Sequence, residues 1–227
     1  VITVSSFPEL GKLAALRFIE WAQTNPGGVV SLPTGKTPEY FIQWTQRLLH
    51  DWEDADVRDI LEDGGIDTAS PPNMRSLQFV QMDEFYPMDS SRHNSFNWYV
   101  REFYLKGFGM DPAKAQLIDC ARIPTPGGLP LEEIWPDGRV DLSLRHRSPE
   151  DAHEELQQEA LALIDQWCQV YEDRIRDKGG IGFFMGGIGP DGHVAFNVRG
   201  SDHHSTTRLT RTNYETQAAA AVDLGGM

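Results

Sequence analysis

Apolar residues fall along this chain in two spacings: short unbroken runs, and longer segments where they recur every three or four positions. The first spacing predicts strands and the second amphipathic helices. "ITV" at 2–4 predicts a short strand. Ser6 and Glu9 follow in capping-box spacing with Pro8 between them, ahead of Leu10, Leu13, Ala14, Phe18 and Trp21; this predicts a helix with one buried face. Gly27 and Gly28 end it. "VVSLP" predicts a strand running into "TGKTP", and Thr37–Pro38 predicts a second helix start, with Tyr40, Phe41, Trp44 and Leu48 on its apolar side.

A polar interval over 51–75 has weak helical pattern at 56–61 and turn chemistry in "EDGG" and "SPPN". "LQFVQM" (77–82) predicts a strand that stops at "DEFYPMDSSRHNS". A helix through Phe96–Tyr104 and a short strand near Leu117–Ile118 come next. Residues 121–147, rich in Pro, Gly and Arg, predict a surface insertion. Ser148 to Asp151 cap a long helix whose Leu156, Ala160, Leu163, Ile164, Trp167 and Tyr171 share a face. "GGIGFFMGG" predicts a buried strand. Strands alternating with helices imply an α/β fold with a mainly parallel sheet and helices on both faces. The length suits one large domain.

Charge narrows the partners. The chain of 227 residues is 40% hydrophobic and 24% charged, with a formal net charge of −14. That field repels phosphate polymers and anionic membranes, and no basic patch offsets it. Nucleic acid and membrane are therefore excluded as expected partners. Cys120 and Cys168 form neither a C-x-x-C pair nor a disulfide framework, which fits a reducing cytoplasm. No run approaches the roughly 18 apolar residues of a membrane span, and "VITVSSFPEL" does not read as a signal peptide. Because the sequence opens on Val1, an upstream segment is expected to be missing from view.

In parallel sheets, ligands sit beyond the carboxyl ends of strands. Three loops take that place, over 33–38, 83–95 and 186–197, and are expected to converge. "PTGKTP" lacks the first glycine of a P-loop, since Val30 stands there. It remains a glycine turn feeding a helix, where amides, the Thr34 and Thr37 hydroxyls and the helix dipole can seat one phosphate, or simply cap the helix. "GGIGPDGHVAFN" contains G-x-G-x-x-G from Gly187 through Gly189 to Gly192. Pro190 and Asp191 occupy its turn, and a carboxylate there would repel a pyrophosphate, so the dinucleotide reading fails. Asp191 can instead orient His193 for proton transfer, or both can merely fix the turn. Asp83 and Glu84 end an apolar strand, where an α/β enzyme places a base.

Taken together, "LPTGKTP", "QMDEFYP" with the later "HNSF", and "FFMGGIGPDGHVAFN" resemble, in order and spacing, the glucosamine-6-phosphate deaminase/isomerase family, itself related to the 6-phosphogluconolactonases. The resemblance covers the chain outside 121–165, where this sequence looks longer. It implies a modified Rossmann-like fold and chemistry on an amino-sugar phosphate, giving a ketose phosphate and ammonia. It also implies that Asp83 moves a proton between C2 and C1, and that His193, assisted by Asp191, opens the pyranose ring. The implied substrate and phosphate contacts are Thr34, Gly35, Lys36, Thr37, Glu84, Gly187 and Arg208. No organic cofactor and no metal are implied, because enediol chemistry needs only acids and bases. A homo-oligomer is left open.

Three departures stand out. The family's "AFNEP" carries a Glu that supports the ring-opening His, whereas Val198 and Arg199 stand here. The sequence stops at "DLGGM", short of further strands and basic phosphate ligands, which predicts truncation relative to the family. "SDHHSTTR" adds His203 and His204, which with His193 and Asp202 could bind a metal but read better as a solvated loop. Two other readings compete with the deaminase: a phosphosugar lactone hydrolase in which His193 activates water, and a sugar-phosphate-binding module without turnover.

Overall fold

The computed structural model describes residues 1–189 and 191–223, in two compact units. The first comprises Val1–Met82, Phe96–Leu117 and Ile181–Gly187, and the second Asp83–Ser95, Ile118–Gly180 and Ile188–Met227.

The first unit is a four-stranded parallel sheet with helices packed around it. Its strands are β1 (Val29–Ser31), β2 (Gln78–Val80), β3 (Ala115–Gln116) and β4 (Phe183–Phe184), in the order β3-β2-β1-β4. Val30 is in register with both Phe79 and Phe183. The two central strands are buried, which is why they read as unbroken apolar runs. Around them lie α1 (Phe7–Thr24), α2 (Glu39–His50) and α3 (Ala55–Asp63). Ser6 caps α1 by accepting the Glu9 N–H at 3.4 Å. The Glu9 carboxylate reaches one residue past the capping-box partner, to the N–H and hydroxyl of Ser5. Phe18 on α1 meets Phe41 on α2 and Phe183 on β4, with centroids 5.7 and 5.3 Å apart, and is fully buried.

Helices α1 and α2 touch backbone to side-chain stem at Gly11. A Cβ there would lie 2.5 Å from Tyr40 Cβ and 2.6 Å from the Tyr40 carbonyl carbon. Backbone cannot yield as a side-chain tip does. Gly11→Ala is therefore expected to force the helices apart and to cost about 1–3 kcal/mol, read from the midpoint of urea denaturation.

Three expectations need correction. Residues 1–4 form no strand; Val1 and Ile2 are exposed and have no ladder partner to satisfy their backbone. β4 is not a buried strand. It is the edge of the sheet, and Phe184 is 49% exposed. β3 falls two residues before its expected place, because Asp111 caps a single turn over Pro112–Lys114 that delivers Ala115 directly to the sheet.

The predicted helix at 96–104 begins as α4 (Phe96–Tyr99) and continues as a π-helical stretch, Val100–Lys106. This widening has a consequence. Residues five apart lie about 140° apart around an α-helix, but π turns close from i to i+5 and bring them onto one face. Tyr99 and Tyr104 are so brought together.

The second unit is built on α6 (Ala152–Asp177), capped by Asp151, whose carboxylate accepts the N–H groups of His153 and Glu154 at 2.9 Å each. Residues 121–147 are not simply surface. Ile123, Ile134, Trp135 and Leu144 are buried with Ala160, Leu161, Ile164 and Cys168 of α6, around the short helix α5 (Leu131–Ile134). Arg147 ties this segment down, with both of its terminal nitrogens on Glu154 at 2.6 Å and one also on Asp141 at 3.0 Å. A last helix, α7 (Tyr214–Asp223), completes the unit. Among the described residues, no helix is long and apolar enough to cross a membrane.

Candidate active site

In the first unit, the turn after β1 contains half-buried Thr34 and Gly35 and exposed Lys36 and Thr37. Gly35 has φ of +83°, a conformation that favours glycine. α2 starts one residue later than expected, with Pro38 rather than Thr37 at its N-cap. The turn is held by the two tyrosines of the π-widened helix. Tyr99 Oη donates to the Gly35 carbonyl at 2.8 Å, and Tyr104 Oη donates to the Pro33 carbonyl. Burial pushes both phenols well above their ordinary range, so they remain donors. Gly187 belongs to this unit as well, and a side chain there would lie 3.7 Å from Thr37 Cγ2.

Tyr99→Phe removes one of the two clamps. It is expected to cost about 1 kcal/mol of stability, since the Gly35 carbonyl loses its donor. The midpoint of urea denaturation of the variant checks this.

In the second unit, Asp83 and Glu84 follow shortly after β2. The Asp83 side chain is half-buried, and desolvation pushes its carboxyl up to about 7, with the adjacent Glu84 charge acting in the same direction. Glu84 is held differently. Its carboxylate accepts the Phe85 N–H at 3.0 Å and the hydroxyl of fully buried Ser95 at 2.8 Å. Desolvation thus dominates at Asp83, while Glu84 beside it holds the Phe85 N–H and the Ser95 hydroxyl. Phe85 reaches the other loop of this unit, its ring centroid 5.0 Å from that of Phe196.

That second loop closes on itself. The Gly189 N–H donates to the His193 carbonyl and the Gly192 N–H to the Gly189 carbonyl, each at 2.9 Å. Gly192 takes φ of +84°. Pro190 lies outside the described residues. Residues Val194 and Asn197 face each other across a two-residue turn, closed by the Asn197 N–H on the Val194 carbonyl at 2.9 Å. Its central residues, Ala195 and Phe196, have φ of 50° and 57°. Such a turn ordinarily takes Asn-Gly, so side chains here mean stored strain, on the order of 1–3 kcal/mol per residue. What the strain holds is the Phe196 ring, set 5.6 Å from the His193 imidazole.

His193 Nδ1 lies 2.5 Å from Asp191 Oδ1. The other carboxylate oxygen, Oδ2, accepts from Asn213 Nδ2 at 2.5 Å. Thr216 Oγ1 lies 3.0 Å from His193 Nδ1 and 3.3 Å from Asp191 Oδ1. Desolvation acts to raise the Asp191 carboxyl, but hydrogen bonds from His193, its own backbone and Asn213 outweigh it and hold the group below the usual range. The imidazole also lies on the backbone of Gly189, where a Cβ would come within 2.0 Å of its Cε1. The glycine spacing that imitates a dinucleotide fingerprint is thus accounted for by a turn at 192 and a ring resting on 189.

Arg208 serves its own unit, donating to Asn197 Oδ1 at 2.9 Å and Ser201 Oγ at 3.1 Å. Asp202 closes a local turn by accepting the His204 N–H, and His203 and His204 are exposed. Among the described residues, no three His, Cys, Asp or Glu side chains gather as a metal set.

Several residues of the site escape sequence reading. Tyr99 and Tyr104 read only as members of the helix expected through Phe96–Tyr104, because five-residue spacing carries no α-helical meaning. Asn213 and Thr216 had a usable signal: Asn213 precedes Glu215 and an alanine run, a helix start that "TNYETQAAAA" spells out.

No protein-family model matches the chain. Curated relatives do. It is 24% identical over 226 residues to glucosamine-6-phosphate deaminase 2 of Bacillus subtilis (strain 168), covering all of this chain and 68% of that protein. It is also 24% identical over 216 residues to the glucosamine-6-phosphate deaminase of Halothermothrix orenii, covering 95% of this chain and 66% of the relative. A shorter match, 51% identical over 59 residues, links it to the Caenorhabditis elegans deaminase, with 26% of this chain and 22% of that protein covered. Among solved structures, a monomeric glucosamine-6-phosphate deaminase described as a missing link of the NagB superfamily superposes with a TM-score of 0.66 at 20% identity. That match covers 97% of this chain and 68% of the other. The chain shares the Rossmann-like α/β fold of that neighbour. Proteins named glucosamine-6-phosphate deaminase are thus similar to this chain over all or nearly all of its length.

Proposed function

We propose that this chain carries out the isomerising deamination of an amino-sugar phosphate, with glucosamine-6-phosphate as the substrate its relatives' names indicate. The observation that carries the reading is the Asp191–His193 pair at 2.5 Å in a loop whose Phe196 packs on Phe85, two residues from a carboxylate poised near 7.

His193 moves the proton that opens the ring between O5 and C1, with Asp191 bearing the charge that develops on the imidazole. Asp83 in its ionised form removes the proton from C2 of the open aldehyde, giving an enolamine, and returns it to C1. The resulting C2 imine takes up one water and releases ammonia, leaving the ketose phosphate. A base with a pKa near the working pH is well matched to that shuttle. The turn Thr34–Thr37, with Gly187 beside it, serves as the seat of the phosphate, and Glu84 and Arg208 act as further substrate contacts. No step calls for a metal or an organic cofactor.

The test is direct. Incubation with glucosamine-6-phosphate is expected to release ammonia and ketose phosphate in equal amounts. Hydrolysis of a lactone phosphate without ammonia would favour the hydrolase, and calorimetric binding with no product would favour a binding module.

A further inference from the structure

We infer that Asn213 and Thr216, at the start of α7, are positioning residues that fix which nitrogen of His193 exchanges protons. This rests on the reading of His193 as the proton carrier, and no relative's name or matched motif assigns either residue. Both were absent from the expected site.

The argument is one of donors and acceptors. Asp191 holds its carboxyl ionised, so both its oxygens only accept. Oδ2 is filled by the Asn213 amide at 2.5 Å. Oδ1 faces His193 Nδ1 at 2.5 Å, so that nitrogen carries the hydrogen, and the neutral ring holds its lone pair at Nε2. Thr216 Oγ1 sits beside both atoms, and its hydroxyl hydrogen has one acceptor among them, Asp191 Oδ1, at 3.3 Å. Its oxygen then takes a share of the Nδ1 hydrogen at 3.0 Å. The hydrogen on Nδ1 is thereby committed to Asp191 and Thr216, and Nε2 is left as the working atom.

The helix that supplies these groups is anchored for the purpose. Asn213 caps α7 with its side-chain oxygen on the Thr216 N–H at 3.0 Å, while its amide nitrogen holds Asp191. One residue thus starts the helix and orients the carboxylate. Thr216 is 3% exposed, although it lies in the first turn of a helix whose Tyr214 is 80% exposed. A buried hydroxyl costs free energy unless it is hydrogen-bonded, and its bonds here go to the Asp–His pair.

The experiment compares the unmodified chain with Thr216→Val, Thr216→Ser and Asn213→Ala. Two-dimensional nitrogen–proton spectra of His193 read its tautomer without any turnover. The unmodified chain is expected to show a single tautomer with hydrogen on Nδ1. Thr216→Val and Asn213→Ala should give a mixture, and Thr216→Ser should restore the single form. With glucosamine-6-phosphate, kcat should fall about tenfold to a hundredfold in the first two, with KM within about twofold, and recover in the serine variant. An altered tautomer in a protein without deaminase activity would sustain the positioning role while sinking the proposed function. Hydrogen on Nε2 in the unmodified chain, or one unchanged tautomer across all variants, would overturn the inference.

Discussion

Asp83→Asn is expected to lose deamination by at least about a thousandfold, the upper part of what a positioned acid or base contributes, while still binding glucosamine-6-phosphate. Asparagine keeps the shape and cannot accept the C2 proton. The companion expectation is a rate that depends on pH in a definite direction. Because burial raises the Asp83 carboxyl to about 7, only its ionised form can act as base, and kcat/KM should climb as pH rises through that value. Stability should move the other way. Between the ordinary carboxyl value of 3.8 and about 7 the folded protein binds more protons at this site than the unfolded chain, so stability falls as pH rises across that window. Asp83→Asn should flatten this slope and melt no lower than the unmodified chain at pH 8, a condition set about one unit above that pKa. Loss of activity with undiminished stability distinguishes a base from a structural carboxylate. A variant that turns over normally would remove the base from the mechanism.

Gly189→Ala is the second large effect, and it tests the geometry rather than the chemistry. The added Cβ would lie 2.0, 2.3 and 2.4 Å from Cε1, Nδ1 and Nε2 of His193. All three atoms belong to a rigid ring, so the imidazole must leave its place on Asp191. A displacement of about 1 Å in a catalytic group can cost on the order of a hundredfold, and that fall in kcat is expected here. The backbone is not the obstacle, since residue 189 does not share the left-handed conformation of Gly192. The melting temperature should fall modestly, because displacing the ring breaks the His193–Asp191 hydrogen bond, about 1.5–3 kcal/mol for a bond to a charged group. Wild-type turnover in this variant would mean that the ring does not rest on residue 189.

The parts legible from sequence were those with periodic burial and explicit caps. α1, α2 and α6 announced themselves through Ser6, Pro38 and Asp151 and through apolar residues at helical spacing. β1 and β2 did so as buried parallel strands. Asp83, Asp191 and His193 enter the candidate site on their residue types and loop positions, which suggest proton transfer. Other features depend on tertiary context. "GGIGFFMGG" reads as a buried strand, yet only the strand order reveals that β4 is an edge. Ile123, Ile134, Trp135 and Leu144 are spread among prolines and glycines with no period, and the core they share with α6 is invisible before folding. The π-widening that turns Tyr99 and Tyr104 to one loop has no sequence periodicity to betray it. Ala195 and Phe196 break the residue rule for their turn, which is why sequence alone did not identify it.

The measurement that reaches furthest is proton NMR of the reaction run in deuterium oxide, with the unmodified chain beside Asp83→Asn. If Asp83 shuttles the proton while His193 opens the ring, the unmodified chain should yield ketose phosphate in which C1 carries either the original C2 proton or a single deuterium. The variant should leave the C2 proton in place. Ketose formed at an undiminished rate by the variant, or C2 exchange that proceeds without residue 83, would contradict it.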